Sequence, residues 1–292
     1  MIRSATALGF CLMLAACGGG DQSTGGSPAG GSGGGTTGGG GSGSTGSNGT
    51  TASTMLTDLR TSQVFETASA QVYTPERGGA VGTSPRASFA AFGMAPSATY
   101  DATAGSYSFN DSPAIPAFSV GNQTSSDATF RTFNASDSAG TYTLMLFQPG
   151  TTNPRAGLSY ASYGLLYSSL AVSTSNSDDY RRSFVYGFPT TASDVPHSGV
   201  ATYSGTVDGY WVRLRSPTTF TQGYATFRVS GTQTFTVDFA TGTVTVNLIL
   251  SGTDLRTTAS LGTVDLGTFT GTGTIGSGNR LSGTISGAGF TA

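Results

Sequence analysis

Between residues 225 and 250 the chain reads ATFRVSGTQTFTVDFATGTVTVNLIL, and its apolar residues fall on every second position. Phe235, Val237 and Phe239 alternate with Thr234, Thr236 and Asp238. Beyond Ala240-Thr241-Gly242 the alternation resumes, with Val244, Val246, Leu248 and Leu250 set against Thr243, Thr245 and Asn247. Successive side chains of a strand point to opposite faces, so a period of two predicts a half-buried strand. Gly242 tolerates positive φ and lets the chain double back. The stretch therefore predicts an antiparallel hairpin with one apolar and one hydroxyl-rich face. Ile249 breaks the alternation and predicts a bulge, or cover on both faces, near the end of the second strand.

The same pattern extends in both directions. Residues 53–60 predict one short helical turn, with Leu56 and Leu59 on one side. From residue 62 onward only strand and turn patterns occur. Residues 61–73 and 97–109 alternate weakly, the second stretch broken by a turn at Ala104-Gly105. Pro113 and Pro116 bound a loop. Residues 128–133 and 141–147 read as strands about a turn at 134–140. A strand over 158–172, a turn at 176–179 and a returning strand over 180–188 follow. Past Asp194 the strands come in close succession, at 200–207, 210–214, 220–229, the hairpin, 261–275 and 280–290. Short strands at such spacing, with Gly and Asp turns, predict an all-β sandwich or barrel. The later part reads as a meander curled to protect its edges.

Composition supports this class. The 292 residues carry a net charge of −2 and only 10% charged residues, well below the roughly 25% of an average soluble domain. Every basic residue is Arg, and Glu66 and Glu76 are the only glutamates. A surface of Gly, Thr, Ser and Asp with β-branched strands suits an extracytoplasmic all-β protein. The charge balance excludes nucleic acid as a partner.

The N-terminus reads as an address. Arg3 precedes an apolar run over residues 5–16 that ends at Cys17. A positive start, a short apolar core and small residues before a cut site make a secretory signal peptide. The run is too short for a spanning helix, which needs about 20 apolar residues. Leu14-Ala15-Ala16-Cys17 resembles a bacterial lipobox, which implies that Cys17 becomes the lipidated first residue. Cys11 would leave with the leader, so Cys17 would have no disulfide partner. Acyl chains contribute roughly 0.8 kcal/mol per buried CH₂, enough for several of them to anchor the chain. Gly18 after the cysteine, by resemblance to Gram-negative lipoproteins, implies delivery to the outer membrane, and the long tether that follows suits a surface-exposed binder. Residues 18–50 are nearly all Gly, Ser and Thr, and cannot bury enough apolar surface to offset ordering entropy. Such a coil reaches roughly 30–35 Å on average. The expected divisions are a leader at 1–16, a lipidated tether at 17–54, a β region at 55–190 and a second β region at 191–292.

A resemblance rests on the later strands. Residues 184–190 (FVYGFPT) lead into VPHSGVATYSGTV at 195–207, followed by GYATF at 223–227 and TVDFATGTV at 236–244. The run closes on GTFTG at 267–271 and LSGTISG at 281–287. These motifs resemble the barrel domain of the transferrin-binding protein B family of surface lipoproteins, over about residues 184–290. The resemblance implies an antiparallel up-and-down barrel of about eight strands, preceded by a handle-like β region. It also implies a ligand such as a host iron carrier, a haem-related solute or another protein. Family barrels usually add a further strand bearing a Gly-x-x-Ala-x-Glu-x-Gly-Gly type segment, which this sequence lacks after Phe290. The barrel is therefore expected either to be incomplete at its C-terminal end or to draw its last strand from elsewhere.

Catalytic patterns are sparse, and the chain is read as a binding protein without a cofactor. His197 is the only histidine, and neither an H-E-x-x-H motif nor a Cys/His cluster occurs. It reads as a turn residue at the entry strand. No G-x-S-x-G supports a serine triad. Gly271-Thr-Gly-Thr-Ile-Gly276 matches a dinucleotide fingerprint on paper, but a turn and a strand follow it where that motif needs a helix. Asp178-Asp179 reads as a solvated turn, since its spacing fits no calcium loop. Two groups of residues are candidate ligand contacts. Tyr180, Arg181 and Arg182 form a small charged patch. Tyr210 and Trp211, beside an expected turn at Gly209, supply the rigid aromatic area typical of binding hot spots. The competing reading makes those aromatics core.

Overall fold

A computed structural model describes residues 6–10, 55–77, 85–111, 114–189, 195–214, 224–255, 260–276, 281–287 and 290–291. Its strands are β1 (Thr6–Phe10), β2 (Gln63–Phe65), β3 (Thr67–Arg77), β4 (Arg86–Ala90), β5 (Ala98–Asp101) and β6 (Ser106–Phe109). They continue with β7 (Gln123–Ser126), β8 (Phe130–Ser136), β9 (Gly140–Phe147), β10 (Ala161–Ser173) and β11 (Asn176–Gly187). The C-terminal part supplies β12 (Val200–Leu214), β13 (Tyr224–Asp238), β14 (Thr243–Asp254), β15 (Thr263–Ile275), β16 (Leu281–Gly287) and β17 (Phe290–Thr291). The described residues hold no α-helix, and every strand pairing is antiparallel. The all-β class read from the sequence is the fold. The short helical turn expected near residue 56 is a 3₁₀ turn at Leu56–Asp58, and it buries Leu56.

Three sheets make up the molecule. The first runs in the order β4-β3-β11-β10-β9-β8-β7, and a small sheet, β2-β5-β6, covers part of one face. Between them lies a core that includes Phe65, Phe109, Phe118, Tyr142, Leu144 and Phe184. Close approach is built in at Gly164 of β10, where a Cβ would sit 2.4 Å from the Phe184 ring. The second large sheet runs in the order β1-β12-β13-β14-β15-β16-β17. Its pattern is the predicted one. Along β14 burial alternates without a break from exposed Thr243 to buried Asp254. Gly242, at φ +66°, makes the turn between β13 and β14.

The apolar face of this second sheet is buried by its own strands. Val207, Val229, Phe235, Val237, Val244, Val246, Leu248, Leu250 and Phe269 form one cluster drawn only from β12 to β15. Tyr203 of β12 and Ile285 of β16 pack against it. A flat sheet cannot cover its own face, so the sheet curls. Among the described residues it does not close into a barrel, because β12 pairs with β1 and β13 while β16 pairs with β15 and β17.

Several details differ from the sequence reading. The turn expected at 176–179 is the start of β11, and the reversal lies just before it at residues 174–175. The turn expected at Gly209 does not exist, for β12 is one strand of 15 residues. Ile249 is 56% exposed on the outer face of an unbroken β14. The irregularity nearby falls on β15, where Leu250 pairs with Gly267 and Ser251 with Asp265, leaving Leu266 as the extra residue. Residues 6–10 of the expected leader run antiparallel to β12 as β1, from Thr6↔Arg213 to Phe10↔Gly209. Removal of the leader would bare that edge. Cys17 and the tether lie outside the described residues.

Candidate functional site

The alternation of β11 separates the charged patch. Tyr180 and Arg182 project from one face of the first sheet, while Asp179 and Arg181 project from the other. Tyr180 and Arg182 share a small cavity of about 70 Å³ with Gln71, Asp111, Ile115, Tyr142, Leu166, Ser168 and Leu170. Arg182 is fixed there. Its Nε and Nη2 donate to Gln71 Oε1 at 3.1 and 2.7 Å, and its Nη1 pairs with the Asp111 carboxylate. Tyr180 lies against Tyr73, with ring centroids 5.1 Å apart. Burial, and then the Asp178 carboxylate, raise its hydroxyl above the ordinary tyrosine range.

Arg181 belongs to a different structure. Its Nη2 lies 3.1 Å from Asp179 Oδ2, its Nη1 donates to Thr74 Oγ1 at 2.8 Å, and its guanidinium covers the Tyr167 ring. Asp179 also accepts from Tyr167, Ser169 and Ser177 hydroxyls at 2.8–3.0 Å. Asp179 is 4% exposed, so the solvated turn expected for it is instead a satisfied buried carboxylate. The reason is register: Asp179 stands opposite Ser169 and Thr74, inside the sheet.

Tyr210 and Trp211 also part company, on adjacent positions of one strand. Tyr210 joins Val72, Leu165, Val212 and Tyr224 in a cluster between the two large sheets. Trp211 points to the curled face and packs against Phe227. Its indole Nε1 is buried with no hydrogen-bond partner among the described residues. His197 is exposed in a bend before β12.

The sequence reading missed Asp208. This carboxylate is 7% exposed at the seam where β12 and β13 meet the first sheet. The Tyr163 hydroxyl donates to its Oδ2 at 2.6 Å, and Arg155 Nη1 lies 2.8 Å from the same oxygen. Arg228 Nη2 stands 3.6 Å from Oδ1, with its guanidinium over the Tyr210 ring. Asp208-Gly209 reads as a turn dipeptide, and nothing local marks it as buried. Further along the same two sheets, the Tyr224 hydroxyl donates to the Pro75 carbonyl at 2.7 Å and ties β13 to β3.

Burial, then Asp208, push the Tyr163 hydroxyl above the ordinary range. Burial, then Tyr107, do so for Tyr186, and burial, then Glu76, for Tyr224. The unfolded chain ionises these tyrosines near pH 10, below their folded values. Their contribution is thus fully present below about pH 10 and lost as pH climbs above it. We expect urea midpoints that match at pH 8 and 9 and fall at pH 11. Phenolate absorbance of these three tyrosines should appear only with unfolding.

The fold and these clusters define an all-β protein of two large packed antiparallel sheets, one of them curled, and a small third sheet. Among the described residues no three His, Cys, Asp or Glu side chains gather where a metal ion could bind. No protein-family model matches the chain, and no curated protein or solved structure matches it. The likeness to the transferrin-binding protein B barrel therefore rests on the motifs of residues 184–290 alone.

Proposed function

We propose that this chain is a lipoprotein tethered to the outer membrane through Cys17, displaying a β-rich body that binds an external protein or solute. The observation that carries the binding reading is the pairing of Tyr180 and Arg182 in one cavity. Arg182 is held in place by Gln71 and Asp111, so a ligand that meets it does not have to order it first. About 70 Å³ is far below the 300–1,000 Å³ of a typical small-molecule site. The cavity therefore takes one small polar group of a larger ligand, a side chain or the end of a solute such as an iron carrier. Trp211 does not line this cavity, and its indole N–H is buried on the curled sheet. Arg181 and Tyr210 act through the structure, since neither lines the cavity.

The test uses the full chain with Cys17→Ser as bait against iron carriers, haem compounds and secreted host proteins. A ligand retained by this protein and lost by at least tenfold in Tyr180→Ala and Arg182→Gln supports the proposal. A ligand that ignores both variants would move the site elsewhere. If no ligand is retained, the better reading is a structural lipoprotein of the envelope. Labelling with a radioactive fatty acid checks the anchor separately: label on the wild type and none on Cys17→Ser.

A further inference from the structure

The outer face of the curled sheet carries a lattice of hydroxyl groups. The pairing register aligns Thr202, Thr236, Thr245, Thr272 and Thr284 in one row across five strands. The next row is Ser204, Thr234, Asn247, Thr270 and Ser286. On the other side, Thr243, Thr274 and Ser282 continue the lattice beside Asp238. All of these positions are exposed except Thr236 and Asp238, which are half-buried. Strand geometry sets the spacing, about 4.8 Å between strands and about 6.8 Å along them. Threonine is stiff at χ1, so the hydroxyls are held in place before any partner arrives. Thr202 and Thr236 hydroxyls bond each other at 3.0 Å, which fixes them further.

We propose that this face binds an uncharged, extended polysaccharide chain laid across the strands. The two complete rows contain ten residues and no charge, and the Asp238 carboxylate beside them is half-buried and accepts from the Ala240 and Thr241 N–H groups. They also contain no aromatic residue, Met or Arg, the types that enrich protein–protein interfaces. A membrane would need a continuous apolar band, and these rows have none. The curl removes the plane that an ice surface would need. A sugar ring is comparable in length to one inter-strand step, so each strand meets one sugar with a hydroxyl and a methyl group. This surface lies apart from the Tyr180–Arg182 cavity, and its test can fail without affecting that reading.

The full chain with Cys17→Ser is sedimented with insoluble cellulose, chitin and β-1,3-glucan, and separately with phospholipid vesicles and growing ice. We expect retention on at least one neutral glycan, changed less than twofold by 1 M NaCl. Thr245→Val with Thr272→Val removes two hydroxyls at constant shape and should weaken retention at least tenfold. Thr245→Ser with Thr272→Ser keeps the hydroxyls and should retain binding. Unchanged thermal unfolding in both double variants separates loss of contact from loss of fold. Absence of retention on every neutral glycan, retention abolished by salt, equal retention by the valine variant, or capture on vesicles or ice alone would overturn the proposal.

Discussion

Asp208→Ala lowers the unfolding free energy by about 3 kcal/mol, the low end of the range for breaking a buried ion pair. The carboxylate side chain is 5% exposed and serves three partners, Tyr163, Arg155 and Arg228. Removing it leaves two guanidinium groups and a phenol at the seam without their acceptor. Both arginine side chains keep 26% exposure, so water recovers part of the loss. That is why the low end applies. Replacing all three charges together by apolar residues of similar volume should recover most of the stability, since the isolated charges carry the penalty. Urea unfolding of the single and triple variants measures both effects. A change below about 1 kcal/mol for Asp208→Ala would mean that the two sheets do not meet at this residue.

Phe235→Ala should cost about 3–5 kcal/mol, the range for truncating a buried aromatic residue. Phe235 is 1% exposed and sits between Tyr203 on β12 and Val246 on β14. Its neighbour in sequence provides the control. Thr234 points to the outer face and is exposed, so Thr234→Ala should stay within about 1 kcal/mol, the span of strand propensity. Two adjacent residues of one strand thus differ several-fold in cost. Equal costs would mean that β13 is not a two-faced strand.

The parts of the fold legible in the sequence were those where one face meets a core and the other meets water. There the period of two is clean, as along β14, and the hairpin at Gly242 follows from it. The reading failed where both faces are buried. In β12 the apolar positions from Ala201 to Val207 are odd-numbered, whereas Tyr210 and Val212 are even-numbered. A change of phase beside Asp208-Gly209 looks like a turn. In the structure the strand continues, and the change marks the point where the second sheet begins to pack on the first. The same crossing joins residues 224–229 to the hairpin as one strand, β13.

Candidate contacts divided for a related reason. Tyr180, Arg181 and Arg182 are neighbours in sequence, yet strand geometry sends the middle one to the opposite face. The sequence could place them together on a strand but could not say which face opened on a cavity. Their partners Gln71, Asp111 and Thr74 lie far along the chain and come together only through the pairing of β3 with β11 and the loop after β6.

The central claim is that the second sheet curls over one face and leaves hydroxyls on the other. Single cysteines along β14, in a chain carrying Cys11→Ser and Cys17→Ser, test it most directly. Cysteines at positions 245, 247 and 249 should react with a polar thiol reagent at near the unfolded rate. Those at 246, 248 and 250 should be protected by at least a hundredfold in the native protein. Uniform labelling along the six positions, or protection that repeats every three to four residues, would contradict the account.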